Sequence, residues 1–156
     1  MIGVLALDVT SDLVDLGAII SGEARAFRPH ISILPRFNFV DPDLAADISC
    51  PVPAEVTLEV EGPYDNGQGL WWYESQTGTA GHRLLSELHN ALAATLAGRI
   101  EPVTPDFWYT KYRPHMTIGM ERGHSLPPIF GLKATALTLY VITSEAPLVV
   151  ERHVRA

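Results

Sequence analysis

The sequence predicts an α+β fold of antiparallel strands arranged as two similar lobes, and three observations carry that prediction. Strand-like and helix-like stretches follow one another as β-α-β-(α)-β-β-α-β-β-β, with some strands joined by hairpins rather than by helical crossovers. One seven-residue phrase occurs twice, as Phe27-Arg28-Pro29-His30-Ile31-Ser32-Ile33 and as Tyr112-Arg113-Pro114-His115-Met116-Thr117-Ile118; Phe/Tyr and Ser/Thr exchange like for like. The copies stand too far apart for a solenoid, whose periods are roughly 20–50 residues, so they point to two lobes related by an approximate two-fold axis. At 156 residues, 47% of them hydrophobic, and with no linker or low-complexity tract, residues 1–156 read as one domain able to bury a core.

The elements follow in order. Residues 3–9 are a continuous apolar run, the pattern of a central strand. Thr10 or Ser11 can cap a short helix carrying Leu13, Leu16, Ile19 and Ile20, stopped near Gly22. The first copy of the repeat forms a strand over residues 26–34, ended by Pro35. Asp41-Pro42 starts a brief helix, with Asp as cap and Pro at the first helical position, before Pro51 and Pro53. Residues 55–61 alternate, Val56, Leu58 and Val60 against Glu55, Thr57, Glu59 and Glu61, as a half-exposed strand does. Asp65-Asn66-Gly67-Gln68-Gly69 supplies a hairpin connection to the returning strand Leu70-Trp71-Trp72-Tyr73. A long helix over residues 80–97 follows, with Leu84, Leu88, Leu92 and Leu96 at i+4 spacing beside Leu85, capped by Thr77 or Thr79 and ended at Gly98. A connection through Pro102 and Pro105 leads to the second repeat strand, residues 108–120, and then to strands at 134–142 and 148–154 around a turn at 144–147.

Composition narrows the partners. Eighteen acidic residues against 11 basic ones give a net charge of −7, which argues against long nucleic acid, whose grip needs many neutralised phosphates. A small anionic ligand in a locally positive pocket is compatible, since Arg28, Lys111 and Arg113 lie in or beside the repeats. No apolar run reaches the length of a membrane span. The first eight residues read as a strand rather than a signal peptide, and Cys50 is the lone cysteine, so a cytoplasmic, reducing location is expected.

Each repeat carries a histidine followed two residues later by a hydroxyl. A strand sends residues i and i+2 to one face, so Arg28, His30 and Ser32 share a face, as do Lys111, Arg113, His115 and Thr117, with Ile31, Ile33, Met116 and Ile118 behind them. Two such arms would surround one substrate with two imidazoles and two hydroxyls. Imidazole titrates near neutrality, so one ring can take a proton while the other gives one. Hydroxyls can donate hydrogen bonds to the non-bridging oxygens of a phosphodiester, and the scheme needs neither metal nor cofactor. Arg28 and Arg113 either bind phosphate or sit at the rim as solvated charges.

The paired His-x-Ser/Thr motifs resemble those that define the 2H phosphoesterase superfamily, and most closely its LigT-like group of 2'-5' RNA ligases and cyclic phosphodiesterases. The opening strand ending near Ala6-Leu7-Asp8, the Leu70-Trp71-Trp72 strand and the leucine helix stand in that group's order. The resemblance implies a bilobal α+β fold, two antiparallel sheets flanking a central cleft with helices outside, and metal-independent catalysis. It makes His30 and His115 the catalytic pair and Ser32 and Thr117 the phosphate binders; Ser32 stands where Thr is commoner, keeping the donor and losing a methyl. The implied substrates are small nucleotides or short or cyclic oligonucleotides with 2',3'-cyclic, 2'-5' or cyclic-dinucleotide linkages. Degradation of such messengers is how some phage-encoded members blunt host immunity, which would place the protein in a host's cytoplasm. A non-catalytic nucleotide-binding module of the same fold and a 2'-5' RNA ligase are the alternatives.

Trp71, Trp72, Tyr73, Trp108 and Tyr109 are candidates for stacking on a base, against the plainer reading that they fill the core. Alternation puts Leu70 and Trp72 on one face of their strand and Trp71 and Tyr73 on the other, so at most one pair stacks. Phe107 is a candidate for the rim, and Tyr140 and Glu145 are undecided. His82 and His89, seven apart on the long helix, lack the spacing of a helical zinc pair and read as surface residues. His124 and His153 have no sequence partners, and Cys50 reads as a small buried residue.

Overall fold

A computed structural model describes residues 1–21, 27–48, 56–119, 127–143 and 148–153. Among the described residues eight strands form one antiparallel sheet: β1 (Ile2–Thr10), β2 (His30–Phe39), β3 (Thr57–Asp65), β4 (Trp71–Ser75), β5 (Ile100–Pro102), β6 (His115–Gly119), β7 (Ile129–Thr143) and β8 (Leu148–His153). The helices are α1 (Leu16–Ile19), α2 (Leu44–Asp47) and α3 (Ala80–Thr95). The expected α+β class and antiparallel pairing are therefore present.

The strands run in the order β5-β2-β1-β7-β3-β4-β6, with β8 also on β7. The two lobes are halves of this one sheet, joined through β7. One edge of β7 pairs with β1 from Lys133 to Ile142; the other pairs with β3 from Ile129 to Lys133 and with β8 further along. Four strands separate β2 from β6 in the order, yet the two lie against each other in space. The sheet thus curls until the strands carrying the two repeats meet. Strand twist accumulating in one sense across the sheet makes such closure natural.

Alternation decides what fills the inside. Leu5, Leu7 and Val9 of β1 join Ile31 and Ile33 of β2 in a core shared with Leu58, Val60, Tyr73, Met116 and Leu132 from the other half. Helix α3 touches both β2 and β3 and so spans the two halves. Its buried residues are Leu85, His89, Leu92 and Ala93, while Leu84 and Leu88 are half-buried. A row of i+4 positions drifts around a 3.6-residue helix, so the leucine row does not stay on the core face; His89 lies at the centre of the face that does. The surface placement expected for His89 is corrected.

Several boundaries differ from the sequence reading. Asp15, not Thr10 or Ser11, precedes α1. Strand β2 starts at His30 and runs through Pro35 to Phe39; the register with β1 shifts between Gly3 and Leu5, opposite that proline, so the missing N–H falls in a bulge. The second repeat strand begins only at His115, because residues 105–107 and 109–111 are 3-10 turns and Tyr109 has φ 58°. Residues 100–102, expected in a connection, form β5 on the edge of β2. Strand β3 continues to Asp65, beyond the expected residue 61, and β7 begins at Ile129 rather than at residue 134. The hairpin at Gly67 and Gly69, the Thr79 cap and the stop at Gly98 are as read, with Thr79 Oγ1 accepting from the His82 amide. Gly22, Cys50, the turn at 144–147 with Glu145, and His124 lie outside the described residues.

Candidate active site

Both repeats reach the site in the same way. The proline carbonyl of each accepts a hydrogen bond from the neighbouring strand end, Val9 N to Pro29 O at 2.9 Å and Ser75 N to Pro114 O at 2.9 Å. Each histidine then opens its strand with Nδ1 against the carbonyl two residues back: His30 to Arg28 O at 2.8 Å, His115 to Arg113 O at 2.7 Å. A carbonyl only accepts, so Nδ1 carries the hydrogen in both rings. In the neutral rings Nε2 is then the basic nitrogen, available for proton transfer.

The register supplies what alternation alone could not. Opposite His30 on β1 stands Asp8, and opposite Ser32 stands Ala6; opposite His115 on β4 stands Glu74, and opposite Thr117 stands Trp72. Each histidine therefore faces a carboxylate across its ladder. Asp8 is almost fully buried and accepts from Thr138 Oγ1 at 2.7 Å and Tyr140 OH at 2.5 Å. Glu74 accepts from Trp72 Nε1 at 3.0 Å. Each carboxylate also holds the arginine of its own repeat, Arg28 at 3.9 Å from Asp8 and Arg113 in direct contact with Glu74. The approximate two-fold symmetry thus extends to a His–carboxylate–Arg set in each half. Asp8, Glu74 and Tyr140 were the functional neighbours that sequence reasoning missed or left undecided; Asp8 closing an apolar strand was the one available signal.

Both rings titrate below the ordinary histidine value. Burial is the main cause for each, opposed by the carbonyl on Nδ1; the nearby carboxylate, Asp8 or Glu74, also pulls upward. The charge of His115 lowers His30 further, and Arg113 lowers His115. Strands β2 and β6, which open with these two histidines, lie against each other. Tyr112 ties the repeats together directly, its hydroxyl donating to Ser32 O at 2.7 Å. His30, Ser32, His115 and Thr117 are all half-buried.

The aromatic candidates divide. Trp72 lies on the His115 and Thr117 face, half-buried, with Tyr64 stacked on it at 6.3 Å and 28°. Phe107 is exposed, 6.4 Å from the His115 ring, a rim position. Tyr109 has an exposed side chain. Tyr73 is fully buried, its hydroxyl donating to Pro127 O at 3.2 Å, and Trp108 is buried against Phe37 and His89. Both are core residues and are corrected as base-stacking candidates; Trp71 packs against the same core. The common face expected for Lys111 and Arg113 does not exist, since both precede β6; Lys111 pairs with Asp106 at 3.3 Å. Among the described residues no group of three or more His, Cys, Asp or Glu is placed to hold a metal ion. None of the described helices is long and apolar enough to cross a membrane.

The curled antiparallel sheet is the fold of a class of solved phosphoesterases. A crystal structure of a phosphoesterase matches with TM-score 0.54 at 16% identity, covering 99% of both chains. E. coli LigT matches in its apo form with TM-score 0.53 at 17% identity, over 98% of this chain and 94% of LigT. LigT complexed with ATP matches with TM-score 0.53 at 18% identity, over 99% of this chain and 95% of LigT. No protein-family model and no curated protein matches the sequence.

Proposed function

We propose that the protein is a metal-independent phosphodiesterase of the 2H type, acting on a small nucleotide or a short or cyclic oligonucleotide. The observation that carries this reading is the matched pair of imidazoles, each fixed through Nδ1 with Nε2 left for proton transfer, at the starts of two strands that lie against each other. One neutral ring takes a proton from water or from a ribose hydroxyl as it attacks phosphorus. The other, protonated, gives its proton to the departing ribose oxygen. Ser32 and Thr117 donate to the non-bridging oxygens, and Trp72 with Tyr64 offers a base a face beside the phosphate. The acidic chain suits a small substrate rather than long RNA. Within that class the 2',3'-cyclic, 2'-5' and cyclic-dinucleotide linkages all fit, the last consistent with a role in removing a signalling nucleotide in the cytoplasm.

The test is incubation with cyclic mononucleotides, 2'-5' and 3'-5' dinucleotides and cyclic dinucleotides, read by mass spectrometry. Turnover is expected with EDTA present, and His30→Ala and His115→Ala should each lose about 10²–10⁴ in rate. The base must be neutral and the acid charged, so kcat/KM against pH should be a bell. Both rings titrate low, so its centre should lie below about pH 6.5, the ordinary histidine value. A bound phosphodiester anion favours imidazolium, so the kcat profile should sit at higher pH. Full activity in either single variant would overturn the assignment.

A further inference from the structure

The mechanism makes no use of His89, and yet this imidazole touches both repeats. It is fully buried on the core face of α3. Its Nδ1 donates to Ile33 O at 2.7 Å, the carbonyl next to Ser32 on β2. Its Nε2 accepts from the Tyr109 amide at 2.8 Å, in the turn that leads to the second repeat. Both ring nitrogens are therefore committed, one as donor and one as acceptor, which is the neutral ring; burial holds its titration low in keeping with this. Tyr112, the first residue of the second repeat, lies flat on the ring at 4.0 Å and 8°, and its hydroxyl closes the circuit by donating to Ser32 O. Trp108 meets the ring edge-on at 5.3 Å.

Two features show that this is more than a histidine satisfied in a core. Tyr109 is the one non-glycine among the described residues with a positive φ, 58°, a conformation that a residue with a side chain rarely adopts. That turn delivers the amide His89 accepts. The second feature is an asymmetry within the repeat. Phe27 packs on His30 and Tyr140, whereas its counterpart Tyr112 turns toward His89 and uses a hydroxyl that phenylalanine lacks.

We infer that His89 and Tyr112 form a clamp that sets the separation of His30 and His115, with His89 acting as a positioning residue. The clamp grips the first repeat at the Ser32 and Ile33 carbonyls and the second at the turn before His115, from a helix that spans both halves. Its kinetic consequence rests on the phosphodiesterase reading above; its geometric consequence does not. His89→Phe keeps a flat ring for Tyr112 and removes both hydrogen bonds. Tyr112→Phe keeps the stack and removes the bond to Ser32, a smaller change that guards against loss of folding.

The first readout is the NMR titration of the His30 and His115 rings in the full chain. In the wild type, His115→Gln should raise the His30 titration point, because it removes a charge that now opposes protonation. In the His89→Phe or Tyr112→Phe background that rise should shrink. The second readout is hydrolysis of 2',3'-cyclic AMP, or of whichever panel member is turned over. There kcat should fall by about 10- to 100-fold while KM is held, since misplaced groups lose transition-state contacts. Variants that melt earlier but keep the full coupling between the two rings would overturn the clamp. A wild-type protein that hydrolyses no panel member would overturn the phosphodiesterase reading and leave the titration to decide the clamp.

Discussion

A histidine becomes a directed acid or base only when one of its nitrogens is occupied, and here the carbonyl two residues upstream does this for both His30 and His115. The local phrase Arg-Pro-His is the device: proline ends the incoming chain, donates nothing, and leaves the preceding carbonyl turned toward the ring. The carboxylates facing the rings differ in their surroundings. Asp8 is held by two hydroxyls in a buried cluster, while Glu74 shares its oxygen with the Trp72 indole. That bond fixes the plane of Trp72 beside Thr117. If the indole carries a base, Trp72→Leu should raise KM for a nucleotide substrate by about tenfold, within the 1–3 kcal/mol typical of base stacking, and leave kcat near its wild-type value. Michaelis constants for 2',3'-cyclic AMP check this; an unchanged KM would remove the platform.

At the scale of elements, the short strand β6 depends on how it ends. Ser21 donates its amide to Ile118 O at 3.0 Å, which seats the chain after α1 directly on the end of β6. Gly119 follows with φ 106°, and a Cβ there would stand 2.3 Å from Ser21 O. Gly119→Ala should therefore lose at least about 1–3 kcal/mol from backbone strain alone, with the clash added. Thermal unfolding should show the loss as a Tm lowered by several degrees, and an unchanged Tm would mean that β6 does not end on Ser21. Strand β2 shows the converse: Pro35 lacks the N–H a ladder needs, but a bulge absorbs it and the strand continues far enough for β5 to add to its edge. Whether a proline ends a strand depends on its partner, which no local pattern contains.

For the whole molecule, β7 and α3 join the halves, and three histidines tie stability to pH. His30, His89 and His115 all titrate low in the folded state, chiefly through burial. In the unfolded chain each should titrate near about 6.5. Below that value the unfolded state binds more protons than the folded one, so stability is full above about pH 6.5 and falls as pH drops toward the folded values. The slope is at most about 1.4 kcal/mol per pH unit for each ring. Tm measured from pH 8 to pH 5 should fall at the acidic end, and His89→Phe should flatten that fall by one ring's share. A Tm that rises on acidification would contradict the sign.

The sequence by itself determined the α+β class, the alternating strand at Val56 to Val60, the hairpin at Gly67, the helix between Thr79 and Gly98, and the duplicated His-x-hydroxyl pairs. All of these are local patterns of period two or 3.6, or residues whose backbone needs are fixed by their own chemistry. Only the tertiary structure decided which carboxylates face the two imidazoles, that Tyr73 and Trp108 are buried while Trp72 lines the site, and that His89 bridges the repeats. Those facts depend on strand register and on the curl of the sheet. Both are set by which distant residues are pressed together when the core forms, not by the neighbours of any one residue along the chain.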